Sequence, residues 1–203
     1  MVRRTKQEAE ETRGRILDAA ERVFHEKGVA HASLEDIAAV AEVTRGAIYW
    51  HFEHKGDLFN AMMERVCLPL EQSAPACARG AAPLEALREH LVGVLAQVAA
   101  DPKLQRVFDI ATHKVEYVGE MCAVRDRHLS GRADHLAVVE RALKAAQRRH
   151  EVVRTPARTL AIGVHALVDG LIHNWMLDPA GFDLAAVGAH AIDVHFAGLA
   201  VRS

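Results

Sequence analysis

The sequence predicts an all-α protein, and three observations carry that expectation. Half of the 203 residues are apolar but only 5% are aromatic, with Ala and Leu plentiful, a balance that suits helices better than a β-sandwich or barrel. Apolar residues recur at intervals of three and four, and no stretch alternates with period two for long. The prolines (Pro69, Pro75, Pro83, Pro102, Pro156, Pro179) all fall after the first third, and Asp101-Pro102 and Thr155-Pro156 read as N-caps followed by proline at the first helical position. At roughly 100–200 residues per domain, this length fits one large domain or two small ones.

Glu8 to Lys27 reads as one amphipathic helix, with Ile16, Leu17, Ala20, Val23 and Phe24 inward and Gly28 ending it. Ser33 opens a short helix, Leu34 to Ala41, because Ser33-Leu34-Glu35-Asp36 offers a hydroxyl N-cap and an acid at N3, the capping-box pattern. After the connection Glu42-Val43-Thr44, Thr44 caps a second short helix from Arg45 to about His51. Ile37, Ala38, Ala41, Val43, Ala47 and Ile48 supply a small, close-packed interior. Two short helices joined by a tight turn and braced by a longer one describe a helix-turn-helix. The next helix runs from Gly56 towards Glu71, where Pro69 is expected to interrupt it. Ser73 to Ala82 (SAPACARGAA) is the best candidate for a break between units. Beyond it, Leu84, Leu87, Leu91, Leu95 and Val98 form one helical stripe, and Leu136, Val139 and Leu143 another. A long apolar helix runs from Thr155 to Leu177.

A helix-turn-helix reads DNA when its second helix leads with polar groups and its flanks meet phosphates. Arg45 sits at the tip of that helix, where a guanidinium can reach guanine O6 and N7 together. Gly46 leaves room for close backbone approach behind the capping residue Thr44, and Tyr49 and His51 can bond phosphate oxygens. Lys55 opens the next helix, where ammonium and helix N-terminus both favour an anion, and Ser33 offers a similar contact. Arg3, Arg4 and Lys6 form a basic arm. Net charge opposes this reading at first: 25 basic against 27 acidic residues gives −2. Resolved along the chain, residues 1–65 hold 10 basic and 12 acidic residues, but from Val43 to Lys55 the one acid is Glu53, beside Arg45, Lys55, His51 and His54. Placement, more than the total, decides the partner.

Other classes fare worse. No apolar run approaches the roughly 18 residues that span a bilayer, so no membrane partner is expected. The opening MVRRTKQEAEETRGR has no apolar stretch behind it, which argues against a secretory signal. Cys67, Cys77 and Cys122 are odd in number and scattered, which fits a reducing cytoplasm better than a disulfide framework. No GxSxG or HExxH motif occurs, so no catalytic residue, cofactor or enzyme activity is expected. The histidine pairs His51/His54 and His128/His135 lack a third ligand at recognisable spacing, so no metal site is expected. His165, Asp169 and His173 recur every four residues on the apolar helix; they read either as mutual bonding at a helix interface or as polar anchors of a ligand cavity.

The run from Thr12 to Leu58, TRGRILDAAERVFHEKG followed by SLEDIAAVAEVTRGAIYWHFEHKGDLF, strongly resembles the TetR family of bacterial transcriptional repressors. Ser33, Tyr49 with His51-Phe52, and Lys55 stand at that family's hallmark positions. His113 to Met121, Val168-Asp169-Gly170-Leu171-Ile172 with Trp175, and the ending around PAGFDL look like its AcrR- and TtgR-like multidrug-efflux subgroup. The resemblance implies about nine helices: a DNA-binding domain over 1–55, and a helical effector-binding and dimerisation domain over 56–203. It implies a homodimer through the last two helices, a pseudo-palindromic operator and release by a hydrophobic small molecule. Matched onto this chain, the pocket positions are Val92, Leu95, Phe108, Thr112, His113, His135, Val139, His165, Asp169 and His173. A regulator of a metabolic operon, or a redox-responsive one using a cysteine, would share the DNA-reading features.

Overall fold

A computed structural model describes residues 2–73, 81–116 and 121–201. Among them are nine helices: α1 (Val2–Lys27), α2 (Leu34–Ala41), α3 (Arg45–His51), α4 (Lys55–Ser73), α5 (Pro83–Ala100), α6 (Pro102–His113), α7 (Cys122–Arg148), α8 (Ala157–Leu177) and α9 (Leu184–Leu199). The all-α expectation holds: the described residues contain no strand, only an isolated bridge between Val152 and Ala200. They sort into two compact units that do not follow chain order. The first comprises Met1–Val66 with Arg106–His128, the second Cys67–Gln105 with Leu129–Ser203.

In the first unit, α1 buries Ile16, Leu17, Ala20, Val23 and Phe24 to 2% exposure or less, the face its periodicity predicts. It is longer than expected, because Arg, Lys, Gln, Glu and Ala are good helix formers and nothing between Val2 and Glu8 breaks the run. The backbone of Arg3 and Arg4 is therefore helical, while their side chains lie outside the described set. Gly28 ends α1 at φ +76°, the left-handed conformation that glycine adopts at least cost. Val29 N–H then donates to the Lys114 carbonyl at 2.9 Å, and Lys114 Nζ donates to the His25 carbonyl at 2.7 Å, so the segment after α6 is bonded to the end of α1. Deeper in, Glu21 is 3% exposed, a buried carboxylate that would be costly alone. Arg106 Nε meets it at 2.8 Å and Arg65 Nη2 at 3.4 Å, which supplies the compensating charge from α6 and α4.

In the second unit, Leu87, Leu91, Leu95 and Val98 of α5 are buried as their spacing predicts. The glycine at 188 lets α9 approach α5 closely: a Cβ there would stand 2.5 Å from Leu95 Cδ1. Arg88 of α5 is bonded to Asp193 of α9, which closes the rim of the same contact. The α6 start behaves as predicted, with Asp101 Oδ1 accepting from Lys103 N at 2.8 Å ahead of Pro102.

Three expectations need correction. Pro156 is itself the N-cap of α8, without a side-chain cap, while the Thr155 carbonyl accepts from Gln147 Nε2 at 2.6 Å. Helix α4 continues through Pro69 to Ser73, since one lost donor near a helix end removes a single hydrogen bond. Finally, α8 is apolar enough to cross a bilayer by length and composition alone, and 28% of its apolar window is buried. Counting unbroken apolar runs hides this, because His, Asp and Asn interrupt a segment that is apolar on average.

Candidate DNA-reading face and effector-side residues

The two short helices are fixed by the caps their sequence predicts. Ser33 Oγ accepts from Asp36 N at 3.1 Å, and Asp36 Oδ2 accepts from Ser33 N at 3.1 Å and from Ser33 Oγ at 2.8 Å. Lys27 Nζ adds a bond to Asp36 Oδ1 at 2.7 Å. That lysine, together with the Ser33 donors, holds the Asp36 carboxyl down at about 2. Glu42 ends α2 in the left-handed region, φ 55°, and Thr44 Oγ1 accepts from Ala47 N at 3.1 Å to start α3. Ile48, fully buried, anchors α3 from beneath, while its other face stays open.

On that open face Tyr49 is 46% and Trp50 74% exposed. Arg45 Nη2 donates to Tyr49 Oη at 2.7 Å, its guanidinium lies 5.2 Å over the Tyr49 ring, and Nη1 pairs with Glu35 of α2. Tyr49 first and Glu35 second raise the Arg45 pKa. A Cβ at Gly46 would meet nothing nearer than Thr44 Oγ1 at 3.8 Å, so the backbone beside the tip is open. His51 is half-buried, edge-on to Trp50, and burial followed by Arg13 lowers its pKa; a neutral imidazole keeps one donor for an oxygen. Lys55 is placed differently from the sequence picture. Its ammonium donates to the carbonyls of Ala32 (3.1 Å) and Ala30 (3.3 Å), bracing the loop before α2.

The ten effector-side candidates are divided. Phe108 and Thr112 are half-buried on α6 in the first unit, where His113 Nδ1 meets Asp109 Oδ1 at 3.1 Å. In the second unit Leu95 and Val139 are fully buried, Val92, His135 and His165 are half-buried, and Asp169 and His173 are exposed. The expected burial cost for the α8 triplet therefore falls on His165 alone. The His135 and His165 rings lie 5.5 Å apart, and His135 is pushed down to about 4 by burial, then by His165 and by His90 of α5. His90, a member of this cluster, was not foreseen, because its neighbours come from other helices. Glu35 and Glu21 share that reason, their partners standing on α3 and on α4 and α6, whereas Trp50 stands open beside its chain neighbour His51. An open apolar concavity of about 410 Å³ is lined by Ala166, Leu167, Gly170, Leu171 and Asn174 of α8 with Phe182 and Val187. Among the described residues no group of three His, Cys, Asp or Glu is placed to hold a metal ion. The side chains of Cys67, Cys77 and Cys122 and the stretch 117–120 lie outside the described residues.

Comparison with known proteins gives this geometry a family. Residues 16–62 match the family described as "Bacterial regulatory proteins, tetR family", and residues 82–200 the "MAATS-type transcriptional repressor, C-terminal region". The chain belongs to the TetR family. It is 43% identical over 194 residues to the HTH-type transcriptional repressor BepR of Brucella suis biovar 1, covering 94% of this chain and 93% of that one. The HTH-type transcriptional regulator TtgR of Pseudomonas putida is 39% identical over 191 residues, 91% of this chain and 89% of its own. Among solved structures, NalD of Pseudomonas aeruginosa, the secondary repressor of the MexAB-OprM multidrug efflux pump, superposes with a TM-score of 0.89 at 33% identity, covering 97% of this chain and all of that one. The SmeT–triclosan complex gives 0.87 at 32% identity, covering 95% and 93%. As a TetR-family regulator, this chain carries its DNA-reading helix-turn-helix in α2 and α3.

Proposed function

We propose that this TetR-family chain represses a multidrug efflux operon and leaves its operator when a hydrophobic, drug-like molecule binds. One observation carries the reading: the capped helix pair presents Arg45 at an open tip, in a chain matched along nearly its whole length by efflux-pump repressors. On this reading residues 1–55 form the DNA-binding domain and 56–203 the effector and dimerisation domain. Arg45 reads a guanine; Ser33, Thr44, Gly46, Tyr49, His51 and Lys55, with Arg3 and Arg4, position the backbone. The setting is the cytoplasm, where operator and repressor meet.

Dimerisation completes the reader. The apolar residues left open on α8 and α9, Ile162 and Leu177 with Val187 and Val194, support pairing of two copies through these helices. Two recognition helices roughly 34–36 Å apart then require a pseudo-palindromic operator. A ligand releases DNA only by favouring a dimer geometry with another spacing, since equal affinity for both geometries shifts nothing. Helices α4, α6 and α7 each have residues in both compact units, which supports them as the route of that change.

The test is an operator gel-shift with and without triclosan, the compound held by the related SmeT. Loss of the shifted band over a rising triclosan series is the expected result, and a panel of apolar antibiotics and solvents extends it. Unchanged operator affinity across the whole panel would sink drug-responsive release while leaving DNA binding intact.

A further inference from the structure

We propose that Glu35 is a charge filter on Arg45: it occupies the guanidinium until an uncharged guanine edge takes its place, and so weakens binding to DNA of the wrong sequence. The inference rests on Arg45 as the base-reading residue and adds a residue of α2 to the specificity of α3. Arg45 is held by two acceptors on its two terminal nitrogens, a Glu35 carboxylate oxygen on Nη1 and the Tyr49 hydroxyl on Nη2. Those are the nitrogens with which an arginine grips O6 and N7 of guanine. The free protein thus already has the fork planar and doubly satisfied, over the Tyr49 ring.

Exchange of acceptors discriminates between targets. Arg45 and Glu35 side chains are 55% and 57% exposed, so their ion pair is worth little and opens readily. A guanine edge brings two neutral acceptors, whose partial charges repel Glu35 less than a full negative charge does. A phosphate brings a negative charge, and the displaced carboxylate is then left beside it. Random duplex offers Arg45 mostly phosphates, so the penalty falls on non-specific binding, which is electrostatic in origin. Glu35 takes no part in the hydrogen bonds of the Ser33–Asp36 cap, so its charge can be removed without cutting them.

The experiment measures binding of the full-length protein to operator and to random duplex over a salt series, for wild type, Glu35→Gln, Arg45→Ala and the double variant. Glu35→Gln is expected to bind random duplex about 2- to 5-fold more tightly, as one exposed charge pair allows. Its salt slope on random DNA should steepen by about one released ion, and the operator-to-random ratio should fall. In the Arg45→Ala background the same substitution should change random binding little. Unchanged random-duplex affinity in Glu35→Gln overturns the filter, as does an equal effect with and without Arg45, which would make Glu35 a plain repellent of phosphates. An Arg45→Ala protein with unaltered operator affinity would remove the base-reading assignment and the filter with it. A sensitive Arg45→Ala beside a silent Glu35→Gln would remove the filter alone. Matching thermal melts confirm that the variants are folded.

Discussion

Asp36 joins the DNA-reading head to itself at the scale of single side chains. Its carboxylate receives Ser33 N, Ser33 Oγ and Lys27 Nζ, and its pKa falls from 3.8 to about 2. A depressed carboxyl pKa means that the unfolded chain takes up the proton first, so the contribution is present above about pH 4 and disappears as pH falls towards 2. Asp36→Asn should therefore flatten the acid limb of stability in that window, read by circular dichroism across a pH series. Lys55 makes a second residue-scale prediction. Because its ammonium braces the Ala30 and Ala32 carbonyls, Lys55→Ala should weaken operator and random DNA alike and also cost about 1.5–3 kcal/mol of stability through lost charged hydrogen bonding, read as a lower melting temperature. A variant with weakened DNA binding but an unchanged melt would make Lys55 a phosphate contact only. At this scale the caps were legible, since Ser33–Asp36 and Thr44–Ala47 are written within three residues of chain. Glu35 with Arg45, and Glu21 with Arg65 and Arg106, were not, because only tertiary packing brings them together.

Elements were legible where their apolar period was clean. The bounds of α2 and α3 follow from caps and from Ile37, Ala38, Ala41 and Ile48, all buried. Along the α8 triplet, a spacing of four overshoots the helical repeat by about 40° each step. His165 therefore lies at the edge of the buried stripe, and Asp169 and His173 turn out of it. The cluster of α5, α7 and α8 histidines gives the element-scale prediction. His135, folded, titrates near 4 against an ordinary 6.5 and is neutral at pH 7. Folded protein refuses a proton that the unfolded chain accepts, so stability should decline as pH drops through about 6.5 and level off near 4. His135→Leu should remove much of that slope, by about 1–3 kcal/mol across the window, in urea titrations at stepped pH. An unaltered slope would assign it to other groups.

For the molecule as a whole, the open apolar face of α8 and α9 matters most. Val194 is 60% and Leu177 64% exposed in a single copy, which suits pairing better than solvent. Val194→Glu should shift sedimentation towards the monomer and weaken operator binding steeply, since each head then meets its half-site alone. Dimeric Val194→Glu protein would move the interface elsewhere. The sequence-level charge of −2 also acquires a different weight here, because Glu21 is buried between arginines and Glu35 is engaged by Arg45.

The buried Glu21 also bears on how such regulators are recombined. A DNA-reading head cut at residue 66 keeps the Arg65 contact but forfeits Arg106, and with it the Lys114 bonds that hold the end of α1. Chimeras that exchange 1–66 together with 106–128 should keep these bonds, whereas a fusion cut at 66 alone should melt at a lower temperature.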